Sequence, residues 1–159
     1  MSESHRIAKL FSDWFDQKPW TEITLTALLE DITPEMAAAH PVPGANSIWQ
    51  LVQHCLGWRQ NVLLKLQGEV FTSPKDNYLS EPKDISAKAW SDLLTALRDN
   101  EKLWQSYLLN LAPAQLDKGY APAQNAFTQY EVIHGILHHD NYHFGQILIL
   151  KKILMAKTE

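Results

Sequence analysis

The sequence predicts an all-α fold: a four-helix bundle with a short extra helical segment near the N-terminus. Three observations predict it. Apolar residues recur at three- and four-residue steps over several long stretches, the spacing of a helix face turned to a core. Capping signatures stand just before those stretches. No stretch alternates apolar and polar residues in the manner of a half-buried strand.

Residues 4–16 carry Ile7, Leu10, Phe11, Trp14 and Phe15, one face of an amphipathic helix, and Lys18-Pro19 ends it. Leu25, Leu28, Leu29 and Ile32 form a second short helical face. Thr33-Pro34 reads as an N-cap with proline in the first helical position, opening a brief helix to about Ala39. His40 to Gly44 is a turn. Ser47 and Gln50 make a capping box. The helix behind it places Ile48, Leu51, Val52, Cys55, Val62, Leu63 and Leu66 on one side, with His54 at the edge of that arc, and Gly68 stops it. Residues 69–85, with two prolines, read as a long loop. A third long helix over 86–111 shows Trp90, Leu94, Leu97, Trp104, Leu108 and Leu111 on its stripe. Ala112-Pro113 stops it, and 112–127 is a connection. Thr128 and Glu131 form a second capping box before the last helix.

The chain has 159 residues, with 45% apolar residues, 20% charged residues and a net charge of −4. The length fits one domain over 1–159. With no basic tract, a nucleic-acid partner is not expected. No apolar run approaches the ~20 residues of a membrane span. The N-terminus lacks the pattern of a secretory signal. The single cysteine, Cys55, fits a reducing compartment, so cytoplasm is expected.

The last helix carries four of the seven histidines. Its apolar series, Val132, Ile136, Ile147, Leu150 and Leu154, has a gap where His139 and His143 fall. These two lie four apart on one face, at the centre of the apolar arc, and His134 and His138 fall outside it. Two inward imidazoles need partners for both nitrogens. They are core histidines bonded to other side chains, or they share a metal ion. His54, on a facing helix of the bundle, is the third candidate ligand. Three histidines with no fourth inward Cys or His leave an open position, the composition of a catalytic-type site able to activate water or bind a thiolate. Imidazole ligands suit divalent Zn, Ni, Fe and Cu. A non-catalytic metal-binding or stress-response module is the competing reading.

Other residues have two readings each. Gln146, one turn beyond His143, orients a ligand or bonds a neighbouring helix. Glu101 falls between Leu97 and Trp104; it bonds a ligating histidine or serves as a base, or it sits at a stripe edge and reaches water. Gly145 suits close approach of another helix. Cys55 is turned about 100° from His54 and reads as packing. Trp58 walls a pocket or fills the core, Tyr142 lies beside the histidine stripe, and Asp140 points off it.

Two stretches carry a family resemblance. Asn46 to His54, NSIWQLVQH, is close to S-I-W-x-L-V-x-H, and His139 to Ile147, HDNYHFGQI, is close to H-x-x-Y-H-x-G-Q-I. Both patterns belong to the DinB/YfiT-like family of mostly bacterial four-helix bundles, which the chain resembles in element order over nearly its whole length. The resemblance implies a divalent metal on His54, His139 and His143. It also implies a homodimer and a small-molecule substrate. Some members are transferases using low-molecular-weight thiols, and most have no assigned reaction.

Overall fold

The computed structural model of the chain describes residues 1–69, 72–120 and 127–156. The loop expected over 69–85 and the connection expected over 112–127 include residues 70–71 and 121–126, which lie outside the described residues. The described residues form six α-helices: α1 (Glu3–Phe15), α2 (Leu25–Leu29), α3 (Pro34–Ala38), α4 (Ile48–Leu66), α5 (Ala87–Asn110) and α6 (Gln129–Ala156). No strand occurs among the described residues. A 3₁₀ turn at Pro113–Gln115 and an isolated bridge between Gly119 and Thr128 lead into α6.

The starts and stops follow from local chemistry. The side chains of Thr24, Thr33, Ser47 and Ser86 each accept a bond from the backbone N–H three residues on, satisfying donors that a helix start leaves open. At Ser47 the box closes reciprocally, with Gln50 Oε1 accepting from the Ser47 N–H at 2.8 Å. Thr128 and Glu131 close a second box the same way. At the end of α4, Gly68 takes φ +93°, Gly68 N–H donates to Lys65 O, and Glu69 N–H donates to Leu64 O. That pairing is a Schellman stop, and its left-handed residue favours glycine.

The four long helices form the bundle. α5 packs on α1 and on α4, and α4 packs on α6. Trp14 against Phe144, with ring centroids 6.3 Å apart, closes the ring between α1 and α6. Phe11 stacks on Trp104 at 5.1 Å, and Trp49 meets Trp90 at 5.0 Å. Trp104, Leu108, Ile7, Ile48, Val52 and Ile133 are fully buried. At roughly 1.5–3 kcal/mol per large apolar side chain, these residues dominate the driving force for assembly.

On α6 the buried face differs from the expected one. It runs through Ile133, Ile136, Leu137, Asp140, His143, Ile147 and Leu150, so Asp140 occupies its centre and His139 its edge. Asp140 was expected to point off the stripe; it is 1% exposed. The reason lies on α4, where Arg59 is wholly buried and supplies the charge a buried carboxylate requires. The expected close approach at Gly145 is absent too: a Cβ added there would meet nothing within 4 Å among the described residues.

Candidate metal centre

α4 and α6 bring His54, His139 and His143 together. Their ligand-capable nitrogens all lie within 4.8 Å of one another, and the ring centroids are 4.6–4.9 Å apart. His54 is 4% exposed and His143 9%, whereas the His139 side chain keeps 27% of its surface. Access to the cluster is therefore from the His139 side. Burial is the main cause that pushes the pKa of both His54 and His143 below the ordinary imidazole value. The neutral form, the form that ligates metal, is thus favoured at both.

Each ring turns its Nδ1 toward an oxygen. His54 Nδ1–H donates to the Asn77 carbonyl at 2.7 Å. His143 Nδ1–H donates to Gln146 Oε1 at 2.6 Å. His139 Nδ1 faces Asp140 Oδ1 at 3.5 Å. Outer partners of this kind fix the tautomer and ring orientation of metal-binding histidines. Gln146 touches a ring of the cluster directly.

The donor set fits a cation on grounds of proton count. A carbonyl can only accept, so the proton of His54 is on Nδ1 and its Nε2 is a bare lone pair. That lone pair faces His139 Nε2 at 2.9 Å. In a neutral ring, a proton on His139 Nε2 would leave its Nδ1 as an acceptor opposite the acceptor Asp140 Oδ1, and both of those atoms are buried with no hydrogen-bond partner among the described residues. A cation held by the Nε2 atoms resolves both conflicts: His139 then carries its proton on Nδ1, directed at Asp140. The three residues could hold a divalent transition metal.

Behind the cluster lies an ionic network that the sequence reading missed. Arg59 donates from Nη1 to Asp140 Oδ2 at 2.6 Å, from Nη2 to Glu101 Oε2, and from Nε to Asn100 Oδ1 at 3.1 Å. Its guanidinium lies 5.5–6.0 Å from the ring centroids of Phe11, Trp14 and Trp104. Burial opposes its charge, but Asp140 and Glu101 outweigh that opposition and raise its pKa. Glu101 follows neither expected course. It is 6% exposed, so it does not reach water, and its partners are Arg59 and Gln105, not an imidazole. Burial raises its pKa, with Arg59 opposing. Arg59 did leave a signal. It fills the gap between Cys55 and Val62 in the arc of α4, as His139 and His143 fill theirs on α6.

The remaining residues divide. Cys55 is buried as expected, but it does not turn away from the site. Its Sγ lies within 4.8 Å of ligand-capable atoms of His139 and Asp140, because α6 packs against that side of α4. Burial first, and then Asp140, hold its thiol well above the ordinary range, so it stays protonated. Trp58 walls the cluster, with its ring 6.5 Å from His54 and 6.3 Å from His139. Tyr142 sits 4.8 Å from His143, mostly in solvent. Asn77 and Tyr78 close the α4 side in a turn where both take positive φ, +55° and +61°, a conformation that costs roughly 1–3 kcal/mol per residue. His134 and His138 stand apart from the cluster, with His134 against Tyr130.

No helix among the described residues is long and apolar enough to cross a membrane. The sequence profile of the DinB superfamily matches residues 20–147. Curated proteins and solved structures give no match. The match covers all three imidazoles, and the chain belongs to the DinB superfamily.

Proposed function

For this member of the DinB superfamily we propose a metal-dependent enzyme. His54, His139 and His143 hold one divalent transition metal ion (Zn, Ni or Fe) and leave a coordination position for a small-molecule substrate. The reaction is transfer of a low-molecular-weight thiol to an electrophile. One observation carries the reading: the Nε2 atoms of His54 and His139 stand 2.9 Å apart, and with both rings neutral a proton between them leaves His139 Nδ1 as an acceptor facing Asp140 Oδ1.

When bound, the ion supplies Lewis acidity that lowers the pKa of a thiol in the open position. The chain's own residues prepare the rest. Asn77 and Gln146 hold the Nδ1 protons of His54 and His143, and Asp140 faces that of His139, so all three lone pairs converge. Burial favours the neutral forms of His54 and His143. Trp58 and Tyr142 flank the accessible side and offer aromatic surface to an organic substrate. In the transfer the sulfur lone pair forms the new S–C bond. The leaving group departs with the electrons of the bond it loses, and the thiol proton passes to solvent.

A thiol is favoured over water as the nucleophile by the state of the nearby carboxylates. Asp140 and Glu101 are both bound to Arg59, so neither stands ready to take a proton from water as a general base. A metal lowers the pKa of bound water as well, but a thiol is the more acidic of the two to begin with and needs such help less.

The test has two parts. Protein purified without an affinity tag from metal-replete cells should carry close to one equivalent of a transition metal by elemental analysis. Electrophiles should then be conjugated by one member of a panel of cellular thiols, and chelator should abolish the reaction. Metal content near zero would sink the site; chelator-insensitive conjugation would detach the reaction from it.

A further inference from the structure

We infer that residues 72–81 form a positioning strap for His54, and that Gly57 and the ring of Tyr78 are the pin that sets its height. The metal-affinity part of the inference rests on the reading above; the part concerning the His54 tautomer does not.

His54 owes its proton placement to one acceptor, the Asn77 carbonyl. Asn77 and Tyr78 both hold positive φ, a region that L-residues with bulky side chains avoid, so something must keep them there. α4 does so along about three turns. Gln50 Nε2 donates to Leu79 O at 2.8 Å and Gln53 Nε2 to Tyr78 O at 3.1 Å. Trp58 Nε1 donates to Asn77 Oδ1 at 2.9 Å, and Asn61 Nδ2 to Tyr78 Oη at 3.3 Å. Under these bonds the ring of Tyr78 rests face-on against Gly57. A Cβ added at Gly57 would fall 2.8 Å or less from Cγ, Cδ1 and Cδ2 of Tyr78. These atoms adjoin the Tyr78 backbone and are not the free end of a flexible chain, so a methyl there must lift the main chain. A cavity of about 320 Å³ beside the ring, lined in part by Leu63, Leu64 and Leu103, gives the lifted ring room to move. The residue before Tyr78 then carries its carbonyl off His54 Nδ1. Freed from that acceptor, His54 can place its proton on Nε2, where no lone pair remains for a ligand role.

Long-range ¹H–¹⁵N correlation on metal-free, ¹⁵N-histidine-labelled protein reads the tautomer. Wild-type His54 should show the Nδ1–H form, and Gly57→Ala and Tyr78→Ala should each shift it toward Nε2–H. Tyr78→Phe keeps the ring against Gly57 and loses only the longest of the four bonds, with Asn61 Nδ2 still bonded to Ser73 Oγ at 2.7 Å, so it should leave the tautomer unchanged. The zinc Kd, by competition, should weaken about tenfold in each of the first two variants. Gly57→Ala should add nothing in the Tyr78→Ala background, since the ring it displaces is gone. An Nε2–H form in the wild type, an unchanged tautomer in both single variants, or an equal Gly57→Ala penalty in both backgrounds overturns the strap. If Gly57→Ala does not fold, Tyr78→Ala decides alone. If the wild type binds no metal, the metal reading fails and the tautomer still decides the strap.

Discussion

α6 carries two histidine pairs with the same four-residue spacing, and they meet different fates. His139 and His143 face His54 across the bundle, and each Nδ1 points at an oxygen. His134 meets Tyr130 and His138; among the described residues His134 Nε2 is buried without a hydrogen-bond partner, and no third ligand groups with the pair. Both His134 and the ligand-set histidines His54 and His143 have lowered pKa values, with burial the main cause in each. Spacing on a helix therefore yields pairs cheaply. A site needs a facing element to supply the third ring and an acceptor for each second nitrogen.

The comparison breaks most visibly at Arg59, which underlies one pair and not the other. Arg59→Ala leaves Asp140 and Glu101 buried and unpaired, at a cost of about 3–5 kcal/mol. At ~2–4 °C per kcal/mol for a chain of this size, Tm should fall by roughly 10 °C. His134→Ala should stay within about 1 kcal/mol. Similar losses by calorimetry would mean that the network does not distinguish the two regions.

Metal content sharpens the comparison next. His54→Ala, His139→Ala and His143→Ala should each fall to about a tenth of an equivalent or less, since two imidazoles make a poor site. His134→Ala and His138→Ala should match the wild type. A loss at His138 equal to that at His143 would place the ion on the other pair.

A smaller effect is expected one bond further out. Gln146→Ala removes the acceptor of His143 Nδ1–H and should weaken zinc binding about 10-fold, with little change in melting temperature. Unchanged affinity would make Gln146 a bystander.

The smallest effect separates the pairs by pH. His54, His134 and His143 titrate below the unfolded imidazole value near 6.5. The stability tied to their neutral forms is thus fully present above about pH 6.5 and is lost as pH falls through the lower folded values. Both regions should contribute to the acid sensitivity of the metal-free protein, and His134→Ala should reduce it slightly. Acid release of bound metal, followed with a chromogenic chelator, should be the same in His134→Ala as in the wild type. A displaced release curve would tie the second pair to the ion.

Much of the fold was legible in the sequence because caps and periodicity are local. Ser47 with Gln50 and Thr128 with Glu131 announce helix starts without knowledge of anything distant. The juxtaposition of His54 with His139 and His143 was legible too, as a gap in one apolar series and a histidine on a facing helix. The orientation of α6 about its axis was not. Leu154 and Val132 suggested a stripe centred on the histidines, but the true centre is Asp140, and a carboxylate there makes sense only once Arg59 is seen opposite. Glu101 was misread for the same reason. Asn77 left no signal, since it acts through a main-chain carbonyl that any residue possesses, in a loop whose path periodicity does not describe.

The buried ionic network has a consequence for portability. Arg59 carries one positive charge against the two carboxylates of Asp140 and Glu101, so an excess of negative charge is sealed beneath the imidazoles. A divalent cation above it is the electrostatic complement of that excess. Three histidines grafted at the same spacing onto a bundle with an aliphatic interior would bring ligands without this counter-charge. The transplantable unit spans α4, α5, α6 and the Asn77 turn, and its smallest useful version takes Arg59, Glu101 and Asp140 along with the rings.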